Sequence, residues 1–190
     1  YQLGEGTQKD FEKTMYWYEK AANQNDAIAQ RNLATLYYHS KTTPDHLKKA
    51  FFWYEKAADQ ANVKAQTQLA FLYKHGEGVE KNNQESFYWY KQAAHNESTE
   101  AQVNLADLYL NGIGTPQNFF KALYWFEQAA NANNATAQFN LGNLHYSGKG
   151  TNQNYEKAFY WLDKAANQDH PLAKEKLSLL YYNGHGIKKN

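Results

Sequence analysis

The side chains best equipped for chemistry in this sequence are imidazoles and carboxylates that return at fixed intervals. His39 and His75 stand 36 residues apart at equivalent positions, while Glu19, Glu55, Glu127 and Asp163 recur at one position of a second motif. Two imidazoles bind one metal ion only if their rings converge, and rings on neighbouring packed helices start about 8–10 Å apart. Polar surface lining is therefore their expected role, and no metal site is predicted. The acids lie beside basic neighbours such as Lys20 and Lys56, and nothing sets two of them across from each other as a general acid and base, so they read as solvated positions. The chain contains no cysteine, which removes thiolate nucleophiles, disulfides and cysteine-based zinc sites and leaves the redox compartment open. The pair Gly76-x-Gly78 would cradle phosphate only after a strand and with a third glycine opening a helix. It follows a helical pattern instead and reads as a helix terminator. No Gly-x-Ser-x-Gly, His-Glu-x-x-His, phosphate-loop or calcium-loop string occurs, so the expectation is a protein that is not an enzyme, with no catalytic residue and no cofactor.

Charge narrows the partners. Twenty basic residues face 19 acidic ones, spread along the chain without a basic run, which argues against nucleic acid and against a polybasic membrane anchor. No apolar stretch approaches the roughly 18–20 residues a spanning helix needs, so no membrane insertion is expected within this segment. Aromatic residues make up 16% of the 190, and that many rings demand a packed core rather than disorder.

The elements that must position these groups emerge from a repeat. Trp17, Trp53, Trp89, Trp125 and Trp161 are spaced by 36 residues every time. Around each lies one string, Tyr16-Trp17-Tyr18-Glu19-Lys20-Ala21-Ala22 in its first occurrence. A second string follows each, Ala29-Gln30-x-Asn32-Leu33-Ala34-x-Leu36-Tyr37 in its first occurrence. In the second, Ala29, Leu33, Leu36 and Tyr37 fall on one face of an amphipathic helix, here helix A; in the first, Thr14, Trp17, Tyr18 and Ala21 do the same, here helix B. Asp26, Asn62, Ser98 and Asn134 precede A helices and Asp10, Asn82, Asn118 and Asn154 precede B helices, all good N-cap types. The fifth A cap is His170, followed by Pro171, which suits a first helical turn. Gly76, Gly112, Gly148 and Gly184 mark left-handed C-terminal residues; Ser40 and Thr42 replace the glycine pair once, with Pro44 after them, so that loop is expected to be rebuilt. The spacing predicts A helices near 27–39, 63–75, 99–111, 135–147 and 171–183, and B helices near 11–23, 47–59, 83–95, 119–131 and 155–167, in one array over residues 1–190. Trp is the largest side chain on the stripe and is expected in the core, where truncating Trp53 or Trp89 would cost about 3–5 kcal/mol.

These paired strings with Gly-x-Gly between them resemble the Sel1-like repeat, a 36-residue relative of the tetratricopeptide repeat. The likeness runs from the tail of an A helix at Tyr1 to Leu3 to a partial loop ending at Asn190, both cut at the same phase, so the sequence is expected to be a window of a longer protein. The resemblance implies an all-α fold, an α-solenoid of helix-turn-helix repeats wound as a right-handed superhelix, with neighbouring repeats covering one another.

Tetratricopeptide-like arrays line a concave face with one side of helix A, which here carries Ile28, Arg31, Thr35, Tyr38 and His39 and their equivalents. Those positions change character from repeat to repeat. The predicted groove residues are Arg31, Thr35, Tyr38, His39, Phe71, Lys74, His75, Asp107, Leu110, Asn111, Phe139, Asn143, Tyr146 and Tyr182. Aromatic anchors among polar groups suit an extended peptide or a partner helix, with Arg31 or Lys74 meeting a carboxylate. The resemblance thus implies a monomeric, non-catalytic scaffold or adaptor for a protein or peptide ligand. Sel1-like proteins serve membrane-associated complexes, envelope assembly or host contact; the location is left open with a lean to secreted or periplasmic, any leader lying outside this segment. Two other readings stay in view: an enzyme acting on β-lactam or cell-wall substrates, as reported for cysteine-rich members of the family, and a passive spacer.

Overall fold

Each recurring string hides its apolar stripe by forming a helix and leaning on the next one. The computed structural model describes residues 11–40 and 44–185, and among these the chain forms ten α-helices and no strand. The B helices are α1 (Phe11–Ala22), α3 (Pro44–Asp59), α5 (Asn83–His95), α7 (Phe119–Asn131) and α9 (Tyr155–Ala166). The A helices are α2 (Ala27–Ser40), α4 (Val63–His75), α6 (Thr99–Asn111), α8 (Ala135–Ser147) and α10 (Pro171–Asn183). The expected cap Asp10, Thr42 of the rebuilt loop, Tyr1 to Leu3 and the final loop beyond His185 lie outside the described residues. Helix α3 starts at Pro44, three residues ahead of the expected 47, because proline suits the first helical turn and no glycine pair holds the loop open there. Ser40 closes that turn: its Oγ donates to the Tyr37 carbonyl at 2.8 Å and stands 2.8 Å from His46 Nδ1.

The helix ends are held by the caps. Asp26 accepts from the Ala29 amide at 2.7 Å, and the side chains of Asn62, Ser98, Asn134, Asn82, Asn118 and Asn154 each accept from the first turn of their helix. His170 makes no such bond, and Pro171 begins α10. Gly76, Gly112, Gly148 and Gly184 all take left-handed conformations at C-caps. The second glycine of the pair has a packing reason: a side chain at Gly78 would collide with the Leu47 carbonyl, and one at Gly150 with that of Phe119.

The chain divides into two compact units, Tyr1–Asn96 and Glu97–Asn190. Repeats touch only their neighbours, so an array has no single centre and divides at a junction between repeats. The core of the first unit is built from Leu33, Leu69, Leu72 and Tyr54 with alanines between them, such as Ala34 and Ala57, that let the helices approach closely. Leu162, Leu177 and Leu180 anchor the corresponding cluster of the second.

The tryptophans are not its deepest residues. Trp17 is 57% exposed and Trp53, Trp89, Trp125 and Trp161 are only half-buried. The fully buried side chain belongs to the next residue, Tyr54, Tyr90, Phe126 or Leu162. The indole lies toward the edge of the stripe, where the exposed ring before it meets it edge-on, with centroids 4.9 Å apart for Phe52 and Trp53 and 5.0 Å for Tyr88 and Trp89.

A buried amide ties successive repeats together. In the first unit Gln30 Nε2 donates to the Ala22 carbonyl at 3.1 Å, and Gln60 Nε2 donates to Gln30 Oε1 at 2.7 Å. The second unit repeats this with Gln138 on the Ala130 carbonyl and Gln168 on Gln138 Oε1 at 2.7 Å. Between them Gln66 reaches the Ala58 carbonyl, but its Oε1 has no partner, because the next turn offers Asn96, one methylene shorter, whose amide folds back to Gln92.

Candidate functional site

Because the apolar stripe of each A helix is spent on the core, the stripe beside it carries the residues that vary from repeat to repeat. In the second unit this stripe opens into a cavity of about 770 Å³ between α8 and α10. Phe139, Asn143, Tyr146 and Ser147 of α8 form one wall, and Leu172, Glu175, Lys176 and Leu179 of α10 form the other. The walls are braced. His170 stacks on Phe139 with ring centroids 4.6 Å apart and planes 20° apart, and Tyr155 meets the Tyr146 ring at 5.4 Å. The Lys176 ammonium lies 4.7 Å from the Tyr146 centroid, a cation–π contact that fixes both side chains at the rim. Leu172 and Leu179 are 54% and 42% exposed, so the far wall presents apolar surface to whatever enters.

The face of the first unit is smaller-grained. Tyr38 of α2 meets Phe71 of α4 edge-on at 6.4 Å, Phe71 packs on His75 at 4.1 Å, and Tyr38 touches His39 at 5.6 Å. Beneath them Thr35 Oγ1 donates to the Arg31 carbonyl at 2.8 Å, so its oxygen accepts the hydroxyl proton of Tyr54 at 3.0 Å. Burial raises the Tyr54 phenol above its ordinary range, with the Thr35 contact opposing it, and keeps this hydroxyl protonated under the groove floor. Arg31 is half-buried, and its Nε has no hydrogen-bond partner.

The fourteen expected groove residues therefore separate. Phe139, Asn143 and Tyr146 share the cavity, and Tyr38, His39, Phe71 and His75 form one aromatic cluster, with Arg31 on α2 and Lys74 on α4. Thr35 is tied to the core through Tyr54. On α6, Asn111 turns its amide onto Asp107 at 2.8 Å, and Gln117 donates to the Leu110 carbonyl. Tyr182 is 89% exposed and is not among the cavity-lining residues. Lys176 was missed, because it falls one position off the stripe and only its long stem brings it to the rim. The recurrent acids are not uniformly solvated: Glu55 is half-buried, and burial, with Asp59 adding to it, raises its carboxyl pKa. Among the described residues no three His, Asp or Glu side chains gather as a metal site would require, and no helix is long and apolar enough to cross a membrane.

The model of the Sel1 repeat matches residues 1–26, 27–62, 63–98, 99–134, 135–170 and 171–190. The chain belongs to the Sel1 repeat family. Sel1 repeat chains are all-α solenoids and generally act as protein-interaction scaffolds. Among solved structures, a protective antigen of uropathogenic Escherichia coli with an SLR fold is 30% identical with a TM-score of 0.88, over 93% of this chain. This chain spans only 38% of that protein's length. A Sel1 repeat protein from Oxalobacter formigenes is 31% identical with a TM-score of 0.83, covering 96% of this chain and 75% of its own. Helicobacter pylori cysteine-rich protein B is 26% identical with a TM-score of 0.56, covering 72% of this Sel1 chain and 98% of its own. No curated protein matches the sequence. The cysteines that name the Helicobacter protein have no counterpart here, where none occurs.

Proposed function

We propose that this Sel1 repeat chain is a non-catalytic scaffold that holds a protein or peptide segment against the exposed stripe of its A helices. The observation that carries the reading is the cavity between α8 and α10: seven of its eight lining residues stand on the stripe that varies between repeats, and only Lys176 does not. Its volume and its mixture of exposed leucines, rings and a single Asn amide suit apolar anchors of an extended segment, with polar rim groups setting orientation. The fold does not need these leucines, since Leu172 and Leu179 are exposed while Leu177 and Leu180 fill the core.

Affinity capture with the chain as bait, followed by binding measurements on the captured protein, tests this. Leu172→Ser with Leu179→Ser should abolish capture while leaving helix content and melting temperature within about the ±0.5 kcal/mol range of surface substitutions. Capture that survives the double substitution would overturn the site, and turnover of a β-lactam or cell-wall substrate by the purified chain would overturn the non-catalytic reading.

A further inference from the structure

Charge distinguishes the A helices in a way that repetition does not require. Helices α2 (AIAQRNLATLYYHS) and α4 (VKAQTQLAFLYKH) contain no Asp or Glu, yet carry Arg31, Lys64 and Lys74 together with His39 and His75. Helix α6 has the opposite character, with Glu100 and Asp107 and no basic residue, and α8 carries neither Lys, Arg, Asp nor Glu. The acids described in the first unit stand on B helices, caps or loops, as Glu19, Asp45, Glu55 and Glu85 do, so the stripe of α2 and α4 is positive over an aromatic floor. Arg31 adds a local signal. Its Nε is buried without an acceptor, while Thr35 holds the helix beside it through the Arg31 carbonyl. The two terminal amino groups of a guanidinium form a planar fork of donors, the geometry that a carboxylate meets with two parallel bonds.

We infer that the α2–α4 face of the first unit is a receptor for an acidic peptide segment, with a carboxylate on Arg31, a second near Lys64 and an aromatic or aliphatic side chain against Tyr38 and Phe71. The inference rests on the scaffold reading and adds the partner's chemistry. Charge complementarity selects this occupant. Nucleic acid fits less well, because phosphate recognition draws on an extended basic patch, whereas the whole sequence has a pI of about 8.0 and a net charge of +1.

The test uses the full chain and three short fluorescein-labelled probes in fluorescence anisotropy: a peptide alternating Glu and Phe, its Gln and Phe counterpart, and a single-stranded oligothymidine. The acidic peptide should bind about tenfold or more tightly than the amide one, the loss expected from removing a charge-assisted bond. Its affinity should fall as salt shortens the Debye length from about 10 Å toward 3 Å. Arg31→Gln should weaken it by about tenfold, and Lys64→Gln, on an exposed side chain with no role in the core, should weaken it by less without altering the melting temperature. Equal binding of the acidic and amide peptides, no effect of either substitution, or tighter binding of the oligothymidine would overturn the inference. Equal peptide binding that is lost in Leu172→Ser with Leu179→Ser would leave the scaffold reading intact while removing this one.

Discussion

Replacing Gly142 by alanine should destabilise the second unit, although the same change in an exposed helix interior gains about 1 kcal/mol of helix propensity. Gly142 is buried in α8, and a methyl group built on it would lie 2.7 Å from Leu162 Cγ, 3.1 Å from Leu162 Cδ2 and 3.2 Å from the Ala158 carbonyl oxygen. The same register elsewhere pairs Ala34 with Tyr54, Ala70 with Tyr90 and Ala106 with Phe126, all of them at most 2% exposed. A flat ring leaves space for a methyl group over its face, whereas the branch point of leucine occupies that space. Forcing the methyl in costs about 1–3 kcal/mol of overpacking, so the net loss for Gly142→Ala comes to roughly 1 kcal/mol after the propensity gain. Joining it to Leu162→Phe recreates the ring-and-alanine pair of the other repeats, and the two substitutions should couple favourably by about 1–2 kcal/mol. Urea unfolding of the four proteins of the double-mutant cycle measures this, with hydrogen exchange in α8 and α9 as a local readout, because a repeat array need not unfold in one step. A Gly142→Ala protein more stable than the parent, or substitutions additive within about 0.5 kcal/mol, would refute the packing argument.

Phe126→Ala should cost about 3–5 kcal/mol, and Trp125→Ala, which removes a half-buried ring and its edge contact with Tyr124, less than half of that; calorimetry showing the reverse order would return the indoles to the core. His145 is buried, and burial first, then Lys157 of α9, lowers its pKa below the ordinary 6.5, while Glu127 of α7 pulls the other way. Below pH 6.5 the unfolded chain therefore binds a proton that the folded chain refuses, so this contribution to stability is intact above pH 6.5 and drains away as pH falls toward the folded value. His145→Tyr, which installs the residue of Tyr37, Tyr73 and Tyr109, should flatten the melting temperature between neutral and mildly acidic pH, and an unchanged pH slope would refute the assignment. Ala61 holds a left-handed φ of 59° where Asn25 and Asn133 stand in equivalent turns, so Ala61→Asn should raise unfolding free energy by about 0.5–1 kcal/mol in denaturant titration.

Periodicity made the helices, their caps and their terminating glycines legible, because a cap or a left-handed residue is a local requirement that each repeat must meet anew. Depth within the stripe was not local. Trp and the residue after it both fall on the apolar side, and volume favours the indole, yet which of them sits at the centre depends on the angle at which the next helix crosses. That angle leaves Tyr54 enclosed and Trp53 at the edge. The buried glutamines escaped for a related reason: an amide among alanines reads as surface until its acceptor is known, and the acceptor of Gln30 is a carbonyl eight residues back in another helix.

The recurrence of Gln30, Gln66, Gln102 and Gln138 was nevertheless a signal, since a polar residue kept in four of five repeats, with Lys174 in the last, is held by the fold. The converse applies to the stripe that varies. Residues at the Arg31 position run Arg31, Thr67, Val103, Phe139 and Glu175, a succession that no common packing demand can produce. Among the A helices charge is basic with no acid on α2 and α4, acidic with no base on α6, and mixed on α10, where Lys174 and Lys176 flank Glu175. A basic face on α2 and α4 is what an acidic segment would select, and exchanging Arg31 and Lys64 for Glu should therefore abolish binding of the Glu and Phe peptide while circular dichroism shows the helices retained.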